Sequence, residues 1–304
     1  MRIIHQVGEL LAQQRPAPCS LALGAFDGLH RGHMAVIHAA CAPGAGGQAL
    51  EPAVFTFCAS PSGNSAVLTG RDKERLLEDA GISTLYSLDF AQVRDWQAED
   101  FVRQVLFAAC NARRLCCGED FRFGKGAAGD VALLRSLCQE AGVELYVVPP
   151  VEDGGEKVSS TRIRRLLQTG RCEEAVRLLG HGQLVTGRVT RGAGRGAGLG
   201  FPTANVPFAP GVLVPAFGVY RAEAEVDGVR YPACVNIGVH PTVGALPAPL
   251  LEANLIGFAG NLYGKELAVW LQAHLRGEMR FESAAALRAR VLYDRQLVAD
   301  YYQK

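Results

Sequence analysis

The sequence predicts two folded domains: a doubly wound, Rossmann-like α/β domain over residues 1–180, and a small antiparallel β-barrel over residues 183–304 that ends in a helix. Two observations carry this reading. From about residue 19 to 180, short apolar runs alternate with helical patterns, as in a parallel sheet covered by helices. Past His181 the texture changes to β-branched and aromatic alternation broken by Gly, Pro and Asp-Gly, which suits antiparallel hairpins. No internal repeat relates the halves, so each is a separate design, and the boundary falls near residues 180–183.

In the first domain, strands are expected over 20–23, 53–57, 84–88, 114–117 and 143–148. The helices between them have readable ends. Asp130 can cap the run VALLRSLCQEA, which stops at Gly142, and Gly170 and Gly180 close two short helices that follow Ser160. In the second domain, strands are expected at 183–189 and near Val206. The clearest hairpin joins GVYRAEAEV to VRYPACVNIG through Asp227 and Gly228, a pair suited to the positive φ angles of a two-residue turn. Another runs through LEANLIGF, turns near Gly260 and Asn261, and returns as KELAVWLQAHL. The last segment, AAALRARVLYDRQLVADYY, reads as an amphipathic helix capped by Ser283 and packed across the barrel.

With 49% hydrophobic and 20% charged residues over 304 positions, both domains can bury real cores. A formal net charge of +1, from 31 basic and 30 acidic residues, supplies no global field toward nucleic acid or anionic lipid, so the expected partners are small molecules. The first residues lack a basic region followed by an apolar stretch, and no run approaches the roughly 18 apolar residues of a membrane helix. A cytoplasmic location is expected, with nine scattered, reduced cysteines. Oligomeric state is not legible.

The segment GAFDGLHRGHMAVI (24–37) joins a strand end, a glycine-bearing turn and two histidines at the start of a helix. Positions i and i+3 share a helical face, and a helix start offers unpaired amides and the positive dipole end, so His30 and His33 can surround a pyrophosphate. Gly24, Phe26, Asp27, Gly28 and Gly32 complete the candidate loop, where Gly28 and Gly32 would let a ligand approach the backbone. A surface histidine pair, or half of a zinc site, are the plainer alternatives. Farther on, VSSTRIRRLL (158–167) opens another helix with Ser159, Ser160, Thr161 and Arg164 as candidate phosphate contacts, or as a capped basic helix only. Between them, Asp120 sits in the loop 118–130 after a strand end, where open α/β sheets bind ligands; a salt-bridged loop is the alternative.

The second glycine-rich run alternates glycine from Gly192 to Gly200 and leads through Pro202 into a strand. Gly192, Arg195, Gly196, Gly200 and Pro202 are candidate polyphosphate contacts, although a flexible linker has the same composition. Thr203 and Asn205 alternate onto one strand face and offer two neutral oxygens to a Mg²⁺ bridging ATP phosphates. Glu252 interrupts an apolar strand, either as a general base for γ-phosphoryl transfer or as an ordinary outward-facing residue.

These residues resemble the bacterial bifunctional riboflavin kinase and FAD synthetase family. The likeness runs from about Leu21 to the C-terminal helix, through HxGH (His30, Gly32, His33), ISSTxxR (Ser159, Ser160, Thr161, Arg164), GFPTAN, NIGxxPT (Asn236 to Thr242) and Glu252. It implies a nucleotidyltransferase domain that adenylylates FMN to FAD with release of pyrophosphate. It also implies a kinase domain that makes FMN from riboflavin and ATP, with Glu252 as base and Thr203 and Asn205 holding Mg²⁺ and ATP. Ala25 stands where the family usually has Asn, Ser60 where it has the His of a Pro-His-Pro loop, and Asn254 where it has the His of Glu-x-His. Two alternatives stay open: an active kinase with weak adenylyl transfer, and a flavin or nucleotide binder without turnover.

Overall fold

The computed structural model describes residues 1–13, 16–43, 49–58, 63–191, 203–240 and 248–303. They form two compact units, Met1–Ala66 with Lys73–Ser159, and Val67–Asp72 with Ser160–Lys304.

The first unit holds a six-stranded parallel sheet of β1 (Arg2–Ile4), β2 (Cys19–Leu23), β3 (Glu51–Phe57), β4 (Thr84–Leu88), β5 (Ala112–Gly118) and β6 (Glu144–Val148), in the order β1-β4-β3-β2-β5-β6. All five expected strands are present. The edge strand β1 was not anticipated, because three residues are too few to show a period. Chain order runs one way from β2 through β3 and β4, then resumes on the other side of β2 with β5 and β6. The β2–β5 edge is therefore the topological switch point, and its carboxyl end is where such sheets open a crevice. Every residue of β2 is buried, as expected of a central parallel strand. Leu21, Leu23, Phe55, Tyr86, Leu115 and Cys117 belong to one continuous core.

Around this sheet run α1 (Val7–Leu11), α2 (Arg31–Cys41), a short α4 (Ala98–Asp100) continuing into a π-helix (Phe101–Ala109), and α5 (Val131–Ala141). A further helix, α3 (Gly70–Asp79), lies between β3 and β4 in sequence. Asp130 caps α5 as the sequence predicts, its Oδ1 accepting the Leu133 amide at 2.9 Å, and Gly142 ends the helix at φ 65°. A cap of this kind contributes about 1 kcal/mol. The short hairpin β7 (Glu152–Asp153) and β8 (Glu156–Lys157) then leads to α6 (Ser160–Gln168) and α7 (Cys172–Leu179). Gly170 and Gly180 close these two helices with φ of 76° and 83°. By contacts, α6 and α7 group with the barrel.

The barrel is a six-stranded antiparallel sheet in the order β10-β13-β12-β11-β14-β9. Its strands are β9 (Gln183–Arg188), β10 (Ala204–Pro207), β11 (Gly218–Val226), β12 (Val229–His240), β13 (Ala248–Leu255) and β14 (Glu266–Arg276). The hairpin expected between LEANLIGF and KELAVWLQAHL does not form, because β13 pairs with β10 and β12 while β14 pairs with β11 and β9. The β11–β12 hairpin turns at Asp227 and Gly228, whose φ angles of 52° and 77° are those the sequence signal requires. The sheet nearly closes on itself where Thr190 bridges Asn205, with the Thr190 amide donating to the Asn205 carbonyl at 2.9 Å. Gly187 permits this approach, since a Cβ there would lie 2.7 Å from Val206 Cγ1.

The last helix, α8 (Ala284–Tyr302), starts on Ser283, whose Oγ accepts the Ala286 amide at 3.1 Å. Its expected amphipathic character is not met. Only Asp294 and Val298 are buried, while Leu292, Tyr293, Leu297 and Tyr301 remain exposed. Polar pins replace an apolar stripe: Arg276 Nε and Nη2 both donate to Asp294 Oδ2, at 2.9 and 2.7 Å, and the Arg221 guanidinium stacks 3.4 Å over the Tyr301 ring.

Candidate active sites

After β2 ends at Leu23, the chain turns into α2 with left-handed backbone at three of the four residues 26–29: Phe26 at φ 48°, Gly28 at 84° and Leu29 at 45°. Glycine adopts this region freely; Phe26 and Leu29 do so at a cost of order 1 kcal/mol each. Both side chains are fully buried, and that packing holds the backbone in place. The loop delivers His30 to the helix N-cap in extended conformation, where its Nδ1 accepts the His33 amide at 3.2 Å. A ring nitrogen that accepts carries no hydrogen, so the proton of neutral His30 is on Nε2, a donor.

The His30 and His33 rings stack at 3.5 Å and 16°, and the Phe26 ring meets His33 edge-on at 5.4 Å. Two imidazoles this close cannot both be charged without a counter-anion. Burial holds His33 well below the usual histidine range, reinforced by His30, Lys73 and Lys157 nearby. Its Nδ1 is buried without a hydrogen-bond partner. Gly32 makes room for the stacked ring, since a Cβ there would lie 3.2 Å from His30 Cε1. Gly24 similarly accommodates Phe26, whose Cε1 would stand 3.0 Å from an added Cβ.

Two supports of this loop were missed by sequence reading. Thr56 Oγ1 donates to the Ala25 carbonyl at 2.9 Å, and Lys73 Nζ donates to the Ala25 and Phe57 carbonyls at 3.1 and 3.0 Å. Lys73 is one of several charges in the run GRDKERLLED, and nothing in that pattern marks it as buried. Asp27 is buried near it. Asp120, after β5, is ion-paired with Lys157 at 2.5 Å, which holds its carboxyl below the usual range; this is the salt-bridged arrangement weighed as the alternative. Ser159 is the last residue of the first unit, and Ser160, Thr161 and Arg164 lie in the first two turns of α6, whose buried face is Ile163, Leu166 and Leu167.

In the barrel, the strand register assembles a polar row that no single segment reveals. Glu252 of β13 pairs with Asn205 of β10 on one side and with Asn236 of β12 on the other. Residues directly opposite in adjacent strands have Cβ atoms about 5 Å apart on one face. That face is the outer one, because Ala204, Val206, Val235, Ile237, Leu251 and Ala253 fill the interior. Glu252 is thus outward-facing, as its plainer reading held, yet only partly exposed and flanked by two amides. Asn205 is 6% exposed, and its Oδ1 has no hydrogen-bond partner. Glu278 also approaches, since a Cβ on Gly238 would lie 2.5 Å from its Oε1 and 3.8 Å from Asn236 Nδ2. Gly192, Arg195, Gly196, Gly200 and Pro202, together with Ser60 and Thr242, lie outside the described residues.

Comparison with known proteins places both halves of the chain in families. A FAD synthetase family matches residues 12–162 and a riboflavin kinase family matches residues 179–302. The bifunctional riboflavin kinase/FMN adenylyltransferase of Escherichia coli K12 is 32% identical over 99% of this chain and 98% of its own length. The chain belongs to the bifunctional riboflavin kinase/FMN adenylyltransferase family. The Pseudomonas fluorescens member is 33% identical over 97% of this chain and 96% of its own. A crystal structure named a macrolide-efflux protein, from Streptococcus pneumoniae, superposes with TM-score 0.85 at 29% identity, covering 98% of both chains. No described helix is long and apolar enough to cross a membrane. For this flavokinase and FAD synthetase pair, the histidine loop lies in the FAD synthetase match and the Asn205–Glu252–Asn236 row in the riboflavin kinase match.

Proposed function

We infer that this chain makes flavin cofactors in two steps. It phosphorylates riboflavin with ATP to give FMN, then adenylylates FMN to FAD with release of pyrophosphate. The observation that carries the assignment of the second step is the stacked His30–His33 pair at the start of α2. An FMN phosphate oxygen attacks the α-phosphorus of ATP, and the bond to the bridging oxygen of pyrophosphate breaks. Negative charge grows on that leaving group, where His30 Nε2–H and the α2 amides are suited to receive it. Ser159, Ser160, Thr161 and Arg164 contribute as the family's second motif.

In the kinase step, Glu252 accepts the proton of the riboflavin hydroxyl as its oxygen attacks the γ-phosphorus and ADP departs. Thr203 and the buried Asn205 Oδ1, an acceptor with no protein donor, suit Mg²⁺. When bound there, the ion neutralises polyphosphate charge. Oxygen ligands without carboxylates are consistent with a site completed by ATP phosphates. All nine cysteines are thiols, and a cytoplasmic enzyme accords with that chemistry.

Incubation of the pure protein with riboflavin, ATP and Mg²⁺, followed by chromatographic resolution of flavins, tests the reading. FMN should rise first and FAD follow. FMN without FAD would support the kinase with weak adenylyl transfer raised by Ala25 and Ser60, and absence of both products would overturn the assignment. Separate expression around residues 180–183, between α7 and β9, extends the test to the proposed domain boundary.

A further inference from the structure

The position of Lys73 needs a physical reason. It lies in the first turn of α3, where the helix dipole disfavours a cation, and only 6% of it is exposed. Burial of a lysine opposes its charge, and its affinity for the proton is lowered accordingly. These costs are offset by the nearby Asp27 carboxylate and by a pair of hydrogen bonds, to the Ala25 carbonyl just past β2 and the Phe57 carbonyl at the end of β3. Thr56 Oγ1 donates to the same Ala25 carbonyl. The next residue, Phe26, begins the left-handed stretch that delivers His30 and His33. One ammonium therefore ties two strand ends to the base of the histidine loop.

We propose that Lys73 is a positioning residue for adenylyl transfer, clamping the Ala25 and Phe57 carbonyls so that the loop 24–29 presents the histidine pair to the leaving pyrophosphate. This rests on the histidine reading above. Lys73→Met keeps the stem and removes the donors. The kcat of FAD formation from supplied FMN should fall by about 10²-fold, the loss typical of a misplaced catalytic group. KM for ATP should change less than threefold, and riboflavin phosphorylation in the same preparation should stay within twofold. A lysine that only stabilises the first unit would lower its folded fraction, read by thermal unfolding at the assay temperature, and leave kcat per folded molecule unchanged. If FAD formation by Lys73→Met stays within threefold of wild type, the proposal is wrong.

Thr56→Val covers the case in which Lys73→Met does not fold. Loss of the second donor should lower FAD formation by about threefold to tenfold at unchanged kinase rate, in keeping with one neutral hydrogen bond; no loss overturns the clamp. His30→Ala separates the two layers. If it abolishes FAD formation while Lys73→Met does not affect it, the clamp fails and the histidine reading stands. If His30→Ala leaves FAD formation intact, the histidine reading itself fails.

Discussion

Around His30 the chain builds its candidate site from ten contiguous residues bent through strained backbone, whereas around Glu252 it builds one from three strands of ordinary β geometry. The first region concentrates imidazole and helix-start donors at the C-terminal end of a parallel sheet. The second lines up two amides and a carboxylate on the outer wall of a barrel. Under the proposed roles, the difference follows from the charge each would meet. A departing pyrophosphate needs donors, while a hydroxyl attacking a phosphate needs an acceptor beside neutral metal ligands.

This contrast can be broken by mutation, since each substitution should silence one reaction and spare the other. Glu252→Gln should lower riboflavin phosphorylation by about 10²- to 10⁴-fold, with FAD formation from supplied FMN unchanged, as read by flavin chromatography. An unaffected kinase rate would end the base assignment while leaving the fold untouched. His33→Ala should lower FAD formation by about 10²- to 10³-fold and leave FMN formation alone, in steady-state assays with each substrate supplied separately. Asn205→Ala should raise the Mg²⁺ concentration needed for half-maximal kinase rate by about tenfold, measured by metal titration at fixed ATP.

The smallest effect concerns pH. His33 stays neutral in the fold at pH values where the unfolded chain binds a proton, because its folded pKa is depressed below 6.5. The unfolded state therefore gains protons first as pH falls, and stability contributed by neutral His33 is present above about 6.5 and declines below it. Thermal unfolding of the first unit between pH 7 and 5 should show this decline, and His33→Gln should flatten it. An identical slope in the variant would mean that other groups govern that window.

The contrast also explains what was legible in the sequence. The histidine loop is local, so a glycine-bearing turn between strand and helix could be read residue by residue, and the Asp130 cap and the Asp227–Gly228 turn were equally local. The Asn205–Glu252–Asn236 row depends on the register of β10, β13 and β12, which side-chain alternation within each strand does not specify. Lys73 was missed because its burial is created by carbonyls distant in sequence from it. The α8 periodicity misled for a related reason: ion pairing at Asp294 and stacking at Tyr301, rather than an apolar stripe, attach that helix.

The left-handed turns at Phe26 and Leu29 bear on attempts to transplant this motif. Their shape is enforced by a surrounding core and by tethers from Thr56 and Lys73, so a decapeptide copied into another scaffold would relax to commoner angles and scatter its imidazoles. In the native setting the loop is held in shape before any ligand arrives, so the nucleotide proposed to dock there would be spared the entropy of organising it.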